Sequence, residues 1–216
     1  MYTTVIFDLD GTLLDTLDDL ADSVNRSLAA YGLPLRTREE VRGFVGNGVK
    51  KLIERAVGDT AYPNTQGVFE YFKKDYTAHC KDKTSPYEGV MPLLRELARR
   101  GVKTAVVSNK SDFAVKLLAE EYFDGLLQAA VGENEEAGIR KKPAPDSLLA
   151  VMQELGTTCD QVVYVGDSEV DIQTAQNAGV ACISVTWGFK DREFLLQNGG
   201  VTLVDTPSEI LHFCKE

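Results

Sequence analysis

The stretch Val5-Ile6-Phe7-Asp8-Leu9-Asp10-Gly11-Thr12 constrains this chain most. Three apolar β-formers run straight into two carboxylates one residue apart, followed by a glycine and a threonine. An unbroken apolar run bounded by a breaker fits a short strand covered on both faces, as in a parallel sheet. Gly11 lets the backbone turn sharply. Asp8 and Asp10 then stand at the carboxyl end of a strand, where open α/β sheets bind ligands. Two carboxylates there repel unless a positive charge separates them. A hard divalent cation does this, and Mg²⁺ is commonly held by one or two carboxylates with water and substrate phosphate. One carboxylate is then free to attack phosphorus, giving an acyl phosphate that water can cleave. The competing reading is a solvated acidic turn, so the partners must come from elsewhere in the chain.

The 216 residues are 44% hydrophobic and 26% charged, which suits one large or two small globular domains. The length permits a buried core without disulfides. Cys80, Cys159, Cys182 and Cys214 are scattered, and the only histidines are His79 and His212. No zinc spacing results, and buried thiols in a reducing compartment are expected. Acids at positions 8 and 10 interrupt the first apolar run too early for a secretory signal. No stretch reaches the length of a membrane span. A cytoplasmic protein is expected. The net charge of −10, without a basic block, argues against nucleic acid and anionic membrane as partners. An anionic substrate would therefore need a local cation and a few placed lysines. A monomer and a homodimer both remain open.

Apolar spacing predicts helices over 15–31, from about 38, over 49–57 and over 66–80, with no strand pattern between them. Thr37-Arg38-Glu39-Glu40 is a capping-box signature, and Gly32-Leu33-Pro34 and Gly46-Asn47-Gly48 are breaks. After a turn at 86–89 the chain alternates. Strands are expected at 103–107, 126–131, 161–165, 181–186 and 201–204. Helices are expected at 90–100, 112–122, 146–155, 171–178 and 207–213. Alternation of this kind implies an α/β protein with a parallel sheet covered on both faces. The first strand joins that sheet, so residues 1–14 and 86–216 form the core and 15–85 an inserted all-helical cap domain.

Three further strand ends carry polar residues. Ser108-Asn109 follows an apolar strand and could hydrogen-bond a phosphate oxygen, or simply cap a helix. Lys142 lies in Arg140-Lys141-Lys142-Pro143-Ala144-Pro145, where two prolines restrict its backbone. It is either a point charge for phosphate and nucleophile or part of a solvated basic loop. In Gly166-Asp167-Ser168-Glu169-Val170-Asp171, Asp167 could complete a metal site with Asp8. Asp171 could accept from Lys142 or a metal-bound water, or complement a helix N-terminus. Together these residues make a set of phosphoryl-transfer roles.

At these residues the sequence resembles the haloacid dehalogenase superfamily. The four signatures are Asp8-x-Asp10-Gly11-Thr12, Ser108, Lys142-Pro143 and Gly166-Asp167-x-x-x-Asp171. The resemblance implies a Rossmann-like core and a Mg²⁺-dependent phosphotransferase. It implies Asp8 as nucleophile and Asp10 as acid/base, with Asp8, the Asp10 carbonyl and Asp167 on the metal. Ser108, Asn109 and Lys142 would bind phosphate, with Asp171 in support. The acid at position 10 suits a phosphatase or a mutase and argues against the dehalogenases, whose signature lacks it. Gly11-Thr12-Leu13, with no histidine before His79, disfavours a sugar phosphomutase, and an inactive binding protein would lack one of these residues. The insert resembles the helical cap of the phosphoglycolate phosphatase branch, on Asp15-Thr16, Asp19-Leu20, Val24-Asn25, Tyr31-Gly32-Leu33-Pro34 and Val45-Gly46-Asn47-Gly48-Val49. Val185-Thr186-Trp187-Gly188-Phe189 also resembles that branch. The implied function is a phosphatase acting on a small phosphorylated substrate, 2-phosphoglycolate first. Pyrophosphate, nucleotides and sugar phosphates remain open. Gly46, Asn47, Gly48 and Lys50 are the candidate substrate contacts from the cap, with an ordinary helix-to-helix turn as the alternative.

Overall fold

The structure is a computed structural model that describes residues 1–59, 61–134 and 138–216. Six strands form one parallel sheet: β1 (Thr4–Phe7), β4 (Lys103–Ser111), β5 (Ala129–Glu133), β6 (Val162–Gly166), β7 (Ala181–Val185) and β8 (Thr202–Val204). Their order is β5-β4-β1-β6-β7-β8. β1 is thus central, with Phe7 opposite Val106 on one side and Val165 on the other. The three strand ends that carry Asp8, Ser108 and Asp167 are brought side by side by that register.

β1 is buried along its whole length, as its unbroken apolar run requires. The period of two still sorts its side chains. Val5 and Phe7 join the cluster that includes Val90, Leu94 and Val106. Ile6 faces the opposite layer with Leu148, Val151 and Tyr164. Helices α5 (Val90–Arg99), α6 (Asp112–Phe123), α7 (Asp146–Glu154) and α8 (Glu169–Ala178) complete the alternation.

The helical insert lies between β1 and α5. It comprises α1 (Leu17–Ala30), α2 (Arg38–Phe44), α3 (Val49–Val57) and α4 (Thr65–His79). The Thr37–Glu40 capping box starts α2 as expected. Leu20, Val24 and Leu28 of α1 pack with Ile53, Val68 and Phe72. Arg26 and Asp75 join α1 to α4 through two contacts of 2.8 and 2.9 Å. At the base of the insert, β2 (Leu14–Asp15) pairs antiparallel with β3 (Ser85–Pro86). Asp19 accepts from the backbone N–H of Lys83 and Thr84 and from the Thr84 hydroxyl, which ties the returning chain to α1.

The expectations differ from the structure in several places. The β2–β3 ribbon has two residues per strand, too short for any periodic signal. β4 runs past Val107 to Ser111, with a register shift against β5 between those residues. β5 starts later than expected because Leu126 turns back to the Phe123 carbonyl. Helix α9 (Arg192–Gln197), capped by Asp191, was not anticipated. The segment Pro207–Phe213 is a 3₁₀ helix. Among the described residues no helix is long and apolar enough to cross a membrane.

Candidate active site

Asp8 follows β1 directly, and its N–H donates to the Val165 carbonyl at 2.8 Å. The chain then folds back through Gly11 (φ +83°). A Cβ on Gly11 would lie 2.4 Å from Asp167 Oδ2, and one on Gly188 only 2.3 Å from the Gly11 carbonyl oxygen. Both positions need glycine so that two loops can close on one carboxylate. The Phe189 N–H donates to Asp167 Oδ2 at 2.6 Å, and the Thr12 hydroxyl contacts Oδ1 at 3.4 Å.

Lys142 is buried between the acids. Its Nζ lies 3.0 Å from Asp8 Oδ1 and 2.7 Å from Asp171 Oδ1, and donates to the Tyr164 hydroxyl at 3.0 Å. Burial alone would lower the ammonium's pKa, but Asp171 and then Asp8 hold it well above the usual lysine value. The loop carrying it contains a cis Lys142–Pro143 bond. Asn109 fixes this loop: its Oδ1 accepts from Lys142 N–H at 2.8 Å, and its amide donates to the carbonyls of Lys142 and Gly46. Both amide hydrogens and the oxygen are therefore engaged. The side chain is thus a strut between the Lys142 loop and Gly46.

Asp8, Asp167 and Asp171 form a buried cluster whose ligand atoms lie within 4.8 Å of one another. Burial, then repulsion from Asp171 and Asp8, pushes the Asp167 carboxyl well above the usual carboxylate range. Burial also outweighs Lys142 and raises Asp8 to about 6. Among the described residues, Asp8 Oδ1 has no aligned hydrogen bond and makes an ion-pair contact with Lys142. Three crowded, buried hard oxygen donors fit a cation. The three are not equivalent, however. Asp171 Oδ1 accepts from Lys142 and Tyr164, while Oδ2 accepts from the N–H and hydroxyl of Ser168 as part of the α8 cap. Asp171 thus orients the lysine, leaving Asp8 and Asp167 as the better metal ligands.

The Asp10 side chain is outside that cluster. Lys110 Nζ contacts both of its carboxylate oxygens, at 2.9 and 3.0 Å. The same Nζ donates to the Tyr76 hydroxyl of α4 at 2.6 Å and lies 4.6 Å from the Tyr76 ring centroid. Lys110 follows Ser108-Asn109 directly, but its position alone assigned it no role. A charged residue next to a strand-end hydroxyl was the available signal.

A cavity of about 40 Å³, room for a few waters, lies between these groups and the insert. Asp8, Asp10, Ser108, Asn109, Lys110 and Asp167 line it from the sheet side. Gly46 and Gly48 line it from the insert, as expected, together with Val45, Val49 and Leu52. Asn47 turns away: its Oδ1 accepts from Arg55 at 2.6 Å. Lys50 is exposed and borders a different depression, with Glu54, Asp59 and Gln66, so it does not reach the site. The structure adds Phe189 and the half-buried Lys190, which directly follow Trp187-Gly188.

A doubly wound sheet with acids, lysines and a hydroxyl at adjoining strand ends, under a helical insert, has the architecture of an α/β enzyme with its site at the strand ends. The chain belongs to the haloacid dehalogenase-like hydrolases, whose family profile matches residues 5–185. A Pseudomonas putida phosphoglycolate phosphatase is 38% identical over 192 residues, covering 86% of this chain and 70% of that protein. One from Pseudomonas savastanoi is 33% identical over 97% of this chain and 79% of its own length. A crystal structure from Lactobacillus delbrueckii, provisionally assigned as a phosphoglycolate phosphatase, superposes with a TM-score of 0.94 at 38% identity, covering 99% and 98% of the two chains. CbbY from Rhodobacter sphaeroides, solved with phosphate, gives 0.80 at 25% identity, covering 97% and 96%.

Proposed function

We propose that this chain is a Mg²⁺-dependent phosphatase acting on a small phosphomonoester, with 2-phosphoglycolate favoured, through a phosphoryl group carried on Asp8. The observation that carries this reading is the pairing of Asp8 with buried Lys142, 3.0 Å apart at the end of β1. Lys142 would hold a phosphate oxygen while keeping Asp8 in place, and Ser108 would donate to a second oxygen. Asp8 would attack phosphorus as the ester bond breaks, and Asp10 would give a proton to the departing alkoxide. Asp10 would then take a proton from the water that cleaves the acyl phosphate. Mg²⁺ on Asp8, Asp167 and the Asp10 carbonyl would neutralise charge on the phosphoryl oxygens.

Residues 15–85 are read as the cap. The insert lines the space over Asp8, and its closure on a bound ester would exclude water. The substrate's second anionic group would meet the Gly46–Gly48 turn and Lys190. The names of the relatives support phosphoglycolate as the first substrate to test.

The test is kcat/KM for phosphate release with Mg²⁺, across 2-phosphoglycolate, pyrophosphate, hexose and pentose phosphates and nucleotides. Asp8→Asn serves as the blank. The reading expects 2-phosphoglycolate to lead by about tenfold or more, which is about 1.4 kcal/mol of transition-state discrimination. Similar rates across the panel would remove the substrate assignment. Full activity in Asp8→Asn would remove the catalytic one.

A further inference from the structure

Lys110 and Tyr76 form a chain of contacts that begins in the insert and ends on Asp10. Tyr76 lies in the last turn and a half of α4, is buried, and stacks on Phe72 with ring centroids 5.3 Å apart and planes 7° from parallel. Its hydroxyl therefore has little freedom, and it receives Lys110 Nζ at 2.6 Å. Lys110 is itself buried at the end of β4 and spans both oxygens of Asp10. A flexible ammonium stem gains a fixed direction only from its surroundings. Here the tyrosine hydroxyl supplies that direction from one side, and Asp10 receives it on the other.

We propose that Lys110 is a positioning residue for Asp10, and that Tyr76 is the insert residue that sets Lys110. The proposal rests on the phosphatase reading, in which Asp10 moves the protons. A proton-transferring carboxylate must lie within hydrogen-bond reach of the reacting oxygen, so its orientation matters as much as its presence. Lys110 fixes that orientation without touching phosphorus. Tyr76 makes the orientation depend on α4 being seated against the core.

The experiment compares Tyr76→Phe, Lys110→Met, Lys110→Arg and the Tyr76→Phe/Lys110→Met double variant. Steady-state kinetics with Mg²⁺ would use the preferred ester of the wild type, and thermal unfolding would be followed alongside. Tyr76→Phe keeps the ring, its stacking and the buried volume, and removes one oxygen. It should lower kcat by about five- to tenfold with KM within about twofold, a fraction of the 10²–10⁴ that general acid–base catalysis supplies. Lys110→Met should lower kcat by about a hundredfold with a similarly small change in KM. Lys110→Arg should recover part of that loss. The double variant should be no slower than Lys110→Met, because Tyr76 acts through Lys110 and the effects cannot multiply.

A raised KM with kcat intact in Lys110→Met would make Lys110 a substrate ligand and overturn the proposal. So would multiplying losses in the double variant, or a Tyr76→Phe protein that loses melting temperature but not kcat. Should Lys110→Met fail to fold, the Tyr76→Phe split alone decides. A wild type that releases phosphate from no ester overturns the phosphatase reading, and this pairing with it. An active wild type with an unaffected Tyr76→Phe overturns only the pairing.

Discussion

Two buried lysines flank the Asp8-x-Asp10 pair, and they are built almost alike. Each holds one aspartate of the pair and donates to a tyrosine hydroxyl, Lys142 to Tyr164 and Lys110 to Tyr76. The difference lies in where the tyrosine comes from. Tyr164 is in the middle of β6, next to β1, and Asp171 and Asn109 add further contacts from the core. Tyr76 belongs to the insert. The Asp8 end of the site is thus held mainly from the core, with only the Asn109 contact to Gly46 reaching the insert, whereas the Asp10 end is completed by Tyr76 across the junction with the insert. On the proposed mechanism, the core holds the nucleophile and the phosphate-binding charge at all times. The group that moves protons is needed only when the substrate is enclosed.

Removing the lysines one at a time should separate the two ends most strongly. Lys142→Met leaves Asp8, Asp167 and Asp171 buried together with their cation gone, and should cost about 3–5 kcal/mol in urea unfolding along with the activity. Lys110→Met strands only Asp10, whose side chain is 15% exposed, and should cost about 1–3 kcal/mol. Equal costs would break the comparison. Gly188→Ala tests the core end without touching charge. Its Cβ would fall 2.4 Å from the Asp167 Cβ and against the Gly11 carbonyl, so a loss of about 1–3 kcal/mol by overpacking is expected, with weakened metal binding.

The acid cluster also makes a prediction about pH. Burial raises Asp8 to about 6 in the folded protein, against an unfolded value of 3.8. Between those values the native state holds the extra proton, so in metal-free protein this group's contribution to stability falls as pH rises. Mg²⁺ binds the ionised form and should reverse that trend. Thermal unfolding with and without Mg²⁺ should show a clear upward shift at pH 7.5 that shrinks below pH 6. A shift independent of pH would place the metal elsewhere. The smallest effect expected is that of Lys50→Ala. It should leave KM within about twofold, because a solvated lysine away from the site carries no binding energy.

The core end of the site was the part legible in the sequence. Asp8, Ser108 and Asp167 each follow an apolar strand, Lys142 lies just before two prolines, and a parallel sheet gathers such strand ends in one place. Local pattern and tertiary position agree there. The insert end was not legible, for physical reasons. Tyr76 falls on the apolar stripe of α4 and is a core residue by burial, so nothing in the helical period reveals the partner of its hydroxyl. Lys110 is turned inward where β4 bulges: a step of four in β4, from Val107 to Ser111, matches a step of two in β5, from Val131 to Glu133. That irregularity buries three consecutive polar residues and sends Asn109 toward Lys142 and Gly46. Lys50 and Asn47 had the right composition for a substrate loop, but Asn47 is taken by Arg55 and Lys50 faces outward. Residue type shows what a side chain can do, while its direction depended on contacts between distant segments.

The most direct test of the account is acid-quenched mass spectrometry of the protein during turnover with Mg²⁺ and the preferred ester. The account predicts one phosphoryl group on the peptide containing Asp8, transient in the wild type, accumulating in Asp10→Asn and absent from Asp8→Asn. A phosphoryl group on another residue, or unchanged turnover in Asp8→Asn, would contradict it.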